Sequence, residues 1–442
     1  MIRRIDYRTA EGRRALEALR AELDAEQGIV SGGEAGDIQA QVRRILDDVR
    51  SRGDAAVCEY TALFDGARVR PDALRVPAEA IEAAYAAADP AFIETVTRIR
   101  EAVRTFQRQI LARPPDPLER NGRRLRLLYR PLARVGVYVP GGRAFYPSTV
   151  LMTAVPALSA GVPEVAVACP PTADGDVYPA VLAVCRVVGV EEVYRMGGVQ
   201  AVAALAYGTE TVRPVEKIVG PGNAYVQAAK KMVFGRVDIE GLAGPSEVVV
   251  LADASAEAAL VAADMLSQAE HDPGSAILVT PDEALAEAVA TELQAQVATL
   301  ERATATREAL ERYSAIVVVA DIDEAARVTN LIAPEHLEIQ TADPEAVLHE
   351  IRCAGAVFLG RHTPVAVGDY VAGPSHTLPT GGTARWASGL TANDFLRSMS
   401  VTEYDAAALE ADATDICRMA ETEGLTAHAR SVRKRLGGSQ HA

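Results

Sequence analysis

Short apolar segments alternate with helix-like segments from residue 135 onwards, and this alternation limits the chain to few architectures. The predicted elements of the first run are the strands Val135–Val139, Val165–Cys169, Val193–Met196 and Lys217–Val219, and the helices Ser148–Ala160, Tyr178–Val188, Val199–Tyr207 and Ala224–Phe234. Strands that are joined through helices run parallel, because a parallel connection needs a long crossover. The sequence therefore predicts an α/β fold with mostly parallel sheets.

A second alternating run follows a glycine-rich joint at residues 241–245. Its predicted elements are, in order, Val248–Leu251, Ala256–Glu270, Ala276–Val279, the helical region 282–300, Ile316–Ala320 and Ala356–Leu359. Residues 10–113 and 391–442 are predicted to be helical. Two α/β runs of similar layout predict two Rossmann-like domains, with helical segments before and after them.

The composition argues against several functional classes. The chain has 45 basic and 60 acidic residues, a net charge of −15, whereas a nucleic-acid surface needs clustered positive charge. No apolar run reaches the ~18 residues of a membrane span, and the N-terminal segment lacks the apolar core of a secretory signal. The five cysteines lack metal-type spacing, which favours free thiols in a reducing cytoplasm. We therefore expect a cytoplasmic protein without nucleic-acid or membrane partners.

Three glycine-containing turns follow predicted strands of the first run, at residues 139–142, 196–198 and 220–223. Neither of the standard glycine-rich phosphate-binding motifs is present in the chain. Each turn alone is commonly just a strand-to-helix connection. Three turns at successive strand ends of one sheet predict a ligand crevice at its carboxyl edge, where backbone N–H groups can approach an anion.

Five polar segments contain four of the seven histidines, and they are Ser267–His271, Ala333–His336, Val367–Tyr370, Gly373–His376 and Glu423–His428. Gln268 and His271 lie three residues apart on a predicted helix and project from one face. Their carbonyl oxygen and imidazole nitrogen are donors that Zn²⁺ accepts, and Asp369, after a predicted strand, and the distant His428 offer two more. Taken singly, such residues are ordinary helix-surface or turn residues, so metal binding is a hypothesis at this point.

Glu335 and His336 lie where a predicted helix ends and a strand begins. Adjacent side chains on an extended backbone point in opposite directions, so the pair would serve two different proton transfers. A histidine suits base catalysis on an alcohol, and a glutamate suits activation of water. The alternative is a solvated pair after a helix-terminating proline.

Together these segments resemble the histidinol dehydrogenase family over nearly the whole length. The resemblance is densest over Val137–Ser148, Gly197–Thr209, Ile218–Asp253, Asp264–Pro273, Ala333–Ile339, Gly355–Pro379 and Glu423–Arg430. It implies that Gln268, His271, Asp369 and His428 bind one zinc ion per subunit. It also implies that Glu335 and His336 are the catalytic pair.

The resemblance assigns further contacts. Ser246, His376 and Glu423 match substrate-contacting positions, together with His336 and the four zinc ligands, and the NAD-contacting positions match Tyr138, Gln200 and Asn223. Members of the family are homodimers in which the C-terminal element completes the partner's site. The implied fold is a helical extension (residues 1–30), an incomplete Rossmann-like domain with the zinc and catalytic residues (31–137 and 246–390), a second, NAD-binding one (138–245), and the C-terminal element (391–442).

The implied activity is the NAD-dependent, four-electron oxidation of L-histidinol to L-histidine through L-histidinaldehyde, the last step of histidine biosynthesis. One departure is Ser375, where relatives often carry asparagine. A paralogous zinc and NAD dehydrogenase of another primary alcohol, such as a sulfonated diol, is an alternative. It is distinguished by whether histidinol supports NADH formation. A two-domain binding protein of periplasmic type is a second alternative, and absence of both zinc and turnover would favour it.

Overall fold

The computed structural model describes residues 2–26, 33–141, 145–271 and 274–437. Gly142, the last residue of the first glycine turn, lies outside the described residues, as does the expected domain boundary at residue 30. The strands are β1 Arg3–Asp6, β2 Leu118–Arg120, β3 Arg123–Pro131, β4 Arg134–Tyr138, β5 Glu164–Cys169, β6 Glu192–Arg195, β7 Lys217–Val219, β8 Asp238–Ile239, β9 Ser246–Ala252, β10 Gly274–Thr280, β11 Ala315–Val318, β12 His336–Gln340, β13 Ala356–Leu359 and β14 Leu396–Tyr404.

The helices are α1 Ala10–Glu26, α2 Gly33–Arg52, α3 Asp54–Phe64, α4 Ala78–Ala87, α5 Pro90–Gln109, α6 Pro147–Ala160, α7 Pro179–Val188, α8 Gly198–Tyr207, α9 Ala224–Val233, α10 Ala258–Ala269, α11 Glu283–Val297, α12 Ala303–Arg312, α13 Ile322–Ile332, α14 Pro344–Leu348, α15 Val365–Tyr370, α16 Ala406–Thr422 and α17 Thr426–Arg435. The predicted strands and helices of both alternating runs are present, with ends that shift by one to three residues. The predicted mixed α/β fold with parallel sheets is confirmed.

The first run forms a five-stranded parallel sheet in the order β6-β5-β4-β7-β8. Its central strands β4 and β5 are buried almost throughout, because helices cover both faces of the sheet. Strands of this kind are apolar without alternation, which is the pattern visible in the sequence. All strands are parallel, so the three glycine turns follow strands at the same edge.

The second run forms a six-stranded parallel sheet in the order β1-β11-β10-β9-β12-β13. Its edge strand β1 was not predicted, since residues 1–30 were expected to be helical. Four residues with one buried side chain, Ile5, show too little periodicity to indicate a strand. Strand β1 is held by its pairing with β11, more than 300 residues further along the chain.

Residues 111–132 and 396–442 form a separate compact unit, and the remainder of the chain forms the other unit. This smaller unit contains the antiparallel sheet β14-β3-β2 and the helices α16 and α17. The prediction of helix throughout residues 391–442 is wrong for the nine residues of β14. Strand β14 is largely exposed and polar, and it pairs with β3 through contacts such as Arg126–Glu403 at 2.9 Å, which a local pattern cannot show.

Among the described residues, no helix is both long enough and apolar enough to cross a membrane. The five cysteines are free thiols, and Cys169, Cys185 and Cys417 are buried.

Candidate active site

Glu335 and His336 are buried at the amino end of β12. Helix α13 ends at Ile332, its C-cap Ala333 adopts a left-handed conformation (φ 56°), and Pro334 then directs the chain into the strand. Glu335 is 6% exposed and His336 is 4% exposed. The solvated pair that the sequence left open is therefore excluded, and the local geometry is the predicted helix-to-strand junction. The expectation that the two side chains point in opposite directions is wrong, since His336 Nδ1 lies 3.5 Å from Glu335 Oε2 and Glu335 precedes the strand.

Glu335 is held by reciprocal hydrogen bonds with Glu247, the second residue of β9. The Glu247 N–H donates to Glu335 Oε2 at 2.9 Å, and the Glu335 N–H donates to Glu247 Oε1 at 3.3 Å. The same Glu247 oxygen accepts a bond from Gly381 N at 2.8 Å. Burial raises the pKa of Glu335 to about 7, although His336 opposes the shift. A carboxyl group that titrates near neutrality can exchange a proton with water or substrate.

His336 is oriented by a backbone carbonyl group of the neighbouring strand β9 and faces the carboxylate of Asp369. Its Nδ1 donates to the carbonyl oxygen of Glu247 at 3.1 Å, which leaves Nε2 as the free ring nitrogen. Nε2 lies 3.7 Å from Asp369 Oδ1 and is buried without a hydrogen-bond partner among the described residues. Burial lowers the pKa of His336, but the carboxylates of Glu335 and Asp369 outweigh it and raise the pKa to about 9.

Gln268 and His271 are not on one helix, contrary to the sequence prediction. Helix α10 ends at Ala269, and the His271 N–H donates to the Gln268 carbonyl oxygen at 3.1 Å in the turn that follows. The chain then approaches itself so closely that a Cβ on Gly274 would lie 2.0 Å from that carbonyl oxygen. Gln268 is 2% exposed, and its Oε1 has no partner among the described residues, whereas His271 is exposed.

Asp369 belongs to the short helix α15 and does not directly follow a strand, contrary to the sequence prediction. A Cβ on Gly368 would lie 2.5 Å from the Phe358 ring, so this glycine lets α15 pack closely against β13. The packing brings Asp369 to His336. Burial lowers the pKa of the half-buried His376, and the Asp369 carboxylate opposes that shift.

The other predicted substrate and metal residues lie in different places. Ser246 is the half-buried first residue of β9, next to Glu247. Ser375, the departure from the family pattern, is buried, and its Oγ donates to the Met152 carbonyl oxygen at 2.8 Å. Glu423 and His428 belong to the smaller unit and are exposed.

Among the described residues, no group of three or more His, Cys, Asp and Glu side chains is close enough to hold a metal ion. Within the larger unit the predicted ligand set includes only two residues of these types, His271 and Asp369. Gln268 supplies a carbonyl oxygen, and His428 lies in the other unit. The unpaired Gln268 oxygen is the observation that fits a cation, because buried amide oxygens normally accept hydrogen bonds.

The predicted NAD-contacting residues meet at the carboxyl edge of the five-stranded sheet. Tyr138 ends β4, and its hydroxyl accepts a bond from the Gly198 N–H at 3.1 Å, at the start of α8. A Cβ on Gly220 would lie 2.0 Å from the Tyr138 carbonyl oxygen, and its φ of 125° also requires glycine. The glycines of the second and third turns therefore adjoin one tyrosine, as the sequence predicted for a single crevice.

Gln200 and Asn223 have different roles at that edge. Gln200 is 0% exposed, and neither polar atom of its side chain has a partner among the described residues. Asn223 is the exposed N-cap of α9, and its Oδ1 accepts bonds from the N–H groups of Tyr225 and Val226, both at 3.1 Å. Among the described residues, the buried Gln200 amide therefore lacks the hydrogen bonds that such a group normally makes.

Comparison with known proteins decides the family. The profile described as histidinol dehydrogenase matches residues 31–436. The chain belongs to the histidinol dehydrogenase family. It is 52% identical over 437 residues to the histidinol dehydrogenase of Rhodopirellula baltica, with 97% of this chain and 95% of the relative covered. It is 50% identical over 400 residues to that of Heliobacterium mobile, with 90% and 94% covered. The crystal structure of histidinol dehydrogenase from Elizabethkingia anophelis matches with a TM-score of 0.88 and 35% identity, covering 92% of this chain and 94% of that one.

Sequence reasoning missed Glu247 in this histidinol dehydrogenase family member. The available indication was a charged residue at the start of an otherwise apolar strand, Ser246–Ala252. A carboxyl group in a buried strand needs partners, and here they are the backbone N–H groups of Glu335 and Gly381.

Replacement of Glu247 by glutamine is expected to change how stability depends on pH. Burial and the neighbouring Glu335 raise the pKa of Glu247 from 4.5 to about 7. The folded chain then holds a proton that the unfolded chain releases, so this stabilisation is complete below pH 4.5 and is lost as pH rises through about 7. Urea unfolding across this range should give a shallower decline of unfolding free energy for Glu247→Gln than for the wild type.

The exposed Glu257 provides a matched control for that measurement. Glu257→Gln makes the same chemical change at the surface and should keep the wild-type decline. Parallel curves for the wild type and Glu247→Gln would contradict the prediction.

Proposed function

We propose that this chain catalyses the zinc- and NAD-dependent oxidation of L-histidinol to L-histidine through L-histidinaldehyde. The observation that carries the proposal is the buried Glu335–His336 pair beside Asp369 in a chain 52% identical to a named histidinol dehydrogenase. That identity favours histidinol over another primary alcohol. The buried catalytic pair favours an enzyme over a binding protein.

In the first oxidation, His336 removes the hydroxyl proton of histidinol while hydride passes to NAD⁺ from the carbon that bears the hydroxyl group. The products are the aldehyde, NADH and a proton. The bond from Nδ1 to the Glu247 carbonyl supports this role, because it fixes the ring and keeps a proton on Nδ1. Nε2 then accepts the substrate proton in the neutral form of the ring, which increases as pH rises towards the pKa of about 9. The aldehyde stays bound, which protects a reactive intermediate from side reactions.

In the second oxidation, Glu335 takes a proton from water as the water oxygen adds to the aldehyde carbonyl, and protonated His336 returns its first proton to the carbonyl oxygen, which gives the hydrate. The hydrate then loses a second hydride to a second NAD⁺, and His336 again accepts the hydroxyl proton. The raised pKa of Glu335, about 7, supports its exchanging protons near neutrality. Its opposite carboxyl oxygen remains bonded to the Glu247 N–H, which keeps the side chain in place.

We assign zinc to Gln268, His271 and Asp369, with His428 as the fourth ligand. Bound zinc would supply a positive charge that orients the imidazole and amino nitrogens of the substrate. The buried Gln268 oxygen, which has no partner in the part of the chain that the structure describes, supports the assignment. Ser246, His376 and Glu423 complete the proposed substrate contacts.

We further propose that the enzyme is a cytoplasmic homodimer in which Glu423 and His428 reach the active site of the partner subunit. Their exposure on the smaller unit supports this role, because side chains that act on another subunit must be accessible. Residues 31–137 with 246–390, and residues 138–245, are the proposed incomplete Rossmann-like domains. The five free cysteines suit a reducing compartment.

We place NAD at the carboxyl edge of the five-stranded sheet, in contact with Tyr138, Gln200 and Asn223. The close approach of the glycine turns to Tyr138 and the unpaired Gln200 amide support a nucleotide there. The sequence contains no standard phosphate-binding motif that would strengthen NAD binding. Loose binding suits an enzyme that exchanges two NAD molecules in each turnover.

Counting NADH per histidinol consumed tests the proposed function. We expect two NADH per histidinol, loss of activity after treatment with a chelator, and recovery on addition of zinc. A matched pair of variants, His271→Ala and the exposed His362→Ala, should differ in zinc content, with loss only in the first. A folded, zinc-loaded protein that forms no NADH from histidinol would contradict the substrate assignment.

A further inference from the structure

Two carboxyl groups, one half-buried and one buried, lie on elements that carry the proposed site residues. Asp264 belongs to α10, and Glu338, 0% exposed, belongs to β12. The two side chains share one amide partner, and burial raises the pKa of both carboxyl groups. Gln340 Nε2 adds contacts of 3.2 Å to Glu338 Oε2 and 3.5 Å to Asp264 Oδ2. Burial and the neighbouring Asp264 raise the pKa of Glu338 to about 8, so Glu338 holds a proton near neutrality and can donate it to Asp264.

The pair also holds a third element. Glu338 Oε1 accepts a bond at 3.0 Å from the N–H of Val365, the first residue of α15. The first N–H groups of a helix have no partner within the helix, so an acceptor here anchors its beginning. One carboxyl pair therefore connects α10, β12 and α15.

Asp264, Glu338 and Val365 each lie two or four residues in sequence from a proposed site residue. Asp264 precedes Gln268 by four residues on α10, and Val365 precedes Asp369 by four on α15. Glu338 follows His336 by two residues on β12, so both side chains point to the same side of the sheet. Residues four apart on a helix share a face. Each of the three elements therefore carries one residue of this hydrogen-bonded group and one proposed metal or catalytic residue. The two residues are one helical turn apart on α10 and α15 and two residues apart on β12.

We propose that Asp264 and Glu338 are positioning residues that keep Gln268, His336 and Asp369 in register for zinc and substrate. The inference rests on the proposed zinc site. The three residues lie on separate elements, and the close approach of α15 to β12 is stabilised by the Glu338–Val365 bond. Loss of the pair lets α10 and α15 shift relative to β12, which changes the distances between metal ligands. Partners of this kind typically alter metal affinity by about 10- to 100-fold.

The test measures zinc affinity of the full-length protein by competition with a chromophoric chelator. Glu338→Leu and Asp264→Ala remove the pair, and each should weaken zinc binding by about 10- to 100-fold. Glu338→Gln keeps an oxygen that accepts from Val365 and an amide that donates to Asp264, and should stay within about threefold of the wild type. In Glu338→Leu and Asp264→Ala, we expect no rise in the KM for histidinol without a loss of zinc affinity.

Asp54 provides a control for general destabilisation, since it is buried and accepts bonds from Thr209 and Thr211. Asp54→Ala should lower the unfolding temperature and leave zinc affinity unchanged. Wild-type zinc affinity in folded Glu338→Leu or Asp264→Ala, or equal losses in Glu338→Gln and Glu338→Leu, would overturn this inference alone. A wild-type protein that binds no zinc would overturn the proposed metal site and the inference with it.

Discussion

Replacement of Glu335 by glutamine is expected to slow the oxidation of L-histidinaldehyde by about 10²- to 10⁴-fold while the oxidation of L-histidinol to the aldehyde falls far less. Glutamine keeps an oxygen that can accept from the Glu247 N–H, but it cannot take a proton from water. With enzyme in excess over histidinol, the wild type should release two NADH per substrate. Glu335→Gln should release one rapidly and the second slowly.

Asp54→Asn makes the same carboxylate-to-amide change at a buried position that accepts bonds from Thr209 and Thr211. It should retain two NADH per histidinol. Equal losses in both half-reactions of Glu335→Gln would contradict separate roles for Glu335 and His336. Direct assay with L-histidinaldehyde distinguishes a slow second oxidation from early release of the intermediate.

Mixing two inactive variants is expected to restore activity if the smaller unit serves the partner's site. His428→Ala damages only that unit, and His336→Asn damages only the larger one. In a mixed dimer, one site combines the intact larger unit of one chain with the intact smaller unit of the other. Random exchange then produces about half mixed dimers with one good site each, or about a quarter of wild-type activity.

Exchange requires dissociation, so the variants are denatured together and refolded, and NADH formation from histidinol is measured. A mixture of His336→Asn with Glu335→Gln is the matched control. Both lesions lie in the larger unit, so no dimer of these chains has a complete site. If the mixture of His428→Ala and His336→Asn forms mixed dimers but recovers no activity, His428 acts within its own chain.

The catalytic pair shows how much a local pattern can predict. The predicted helix end and strand start were sufficient to place Glu335 and His336 at a junction. Their burial and the reciprocal bonds to Glu247 depend on β9, which lies next to β12 in the sheet. A residue 88 positions away in sequence leaves no mark on the local pattern.

The metal residues show where local reasoning failed. Helix periodicity placed Gln268 and His271 on one helix face, but α10 ends before His271, because Gly274 must pass close to the Gln268 carbonyl oxygen. Asp369 was expected directly after a strand and is helical. The donor types were recognisable from the sequence, but the backbone that presents them was not, since its shape follows from tertiary packing.

By itself, the sequence determined the α/β class, nearly all elements of the two parallel sheets, and the family. These properties follow from apolar periodicity, glycine positions and ordered motifs, all of which are local or collinear with the chain. Only the tertiary structure decided that β1 and β14 are strands, that Glu247 bonds to Glu335, and that Asp264 and Glu338 pair. Such contacts join residues tens to hundreds of positions apart, and their energy comes from burial and pairing that exist only once the elements have packed together.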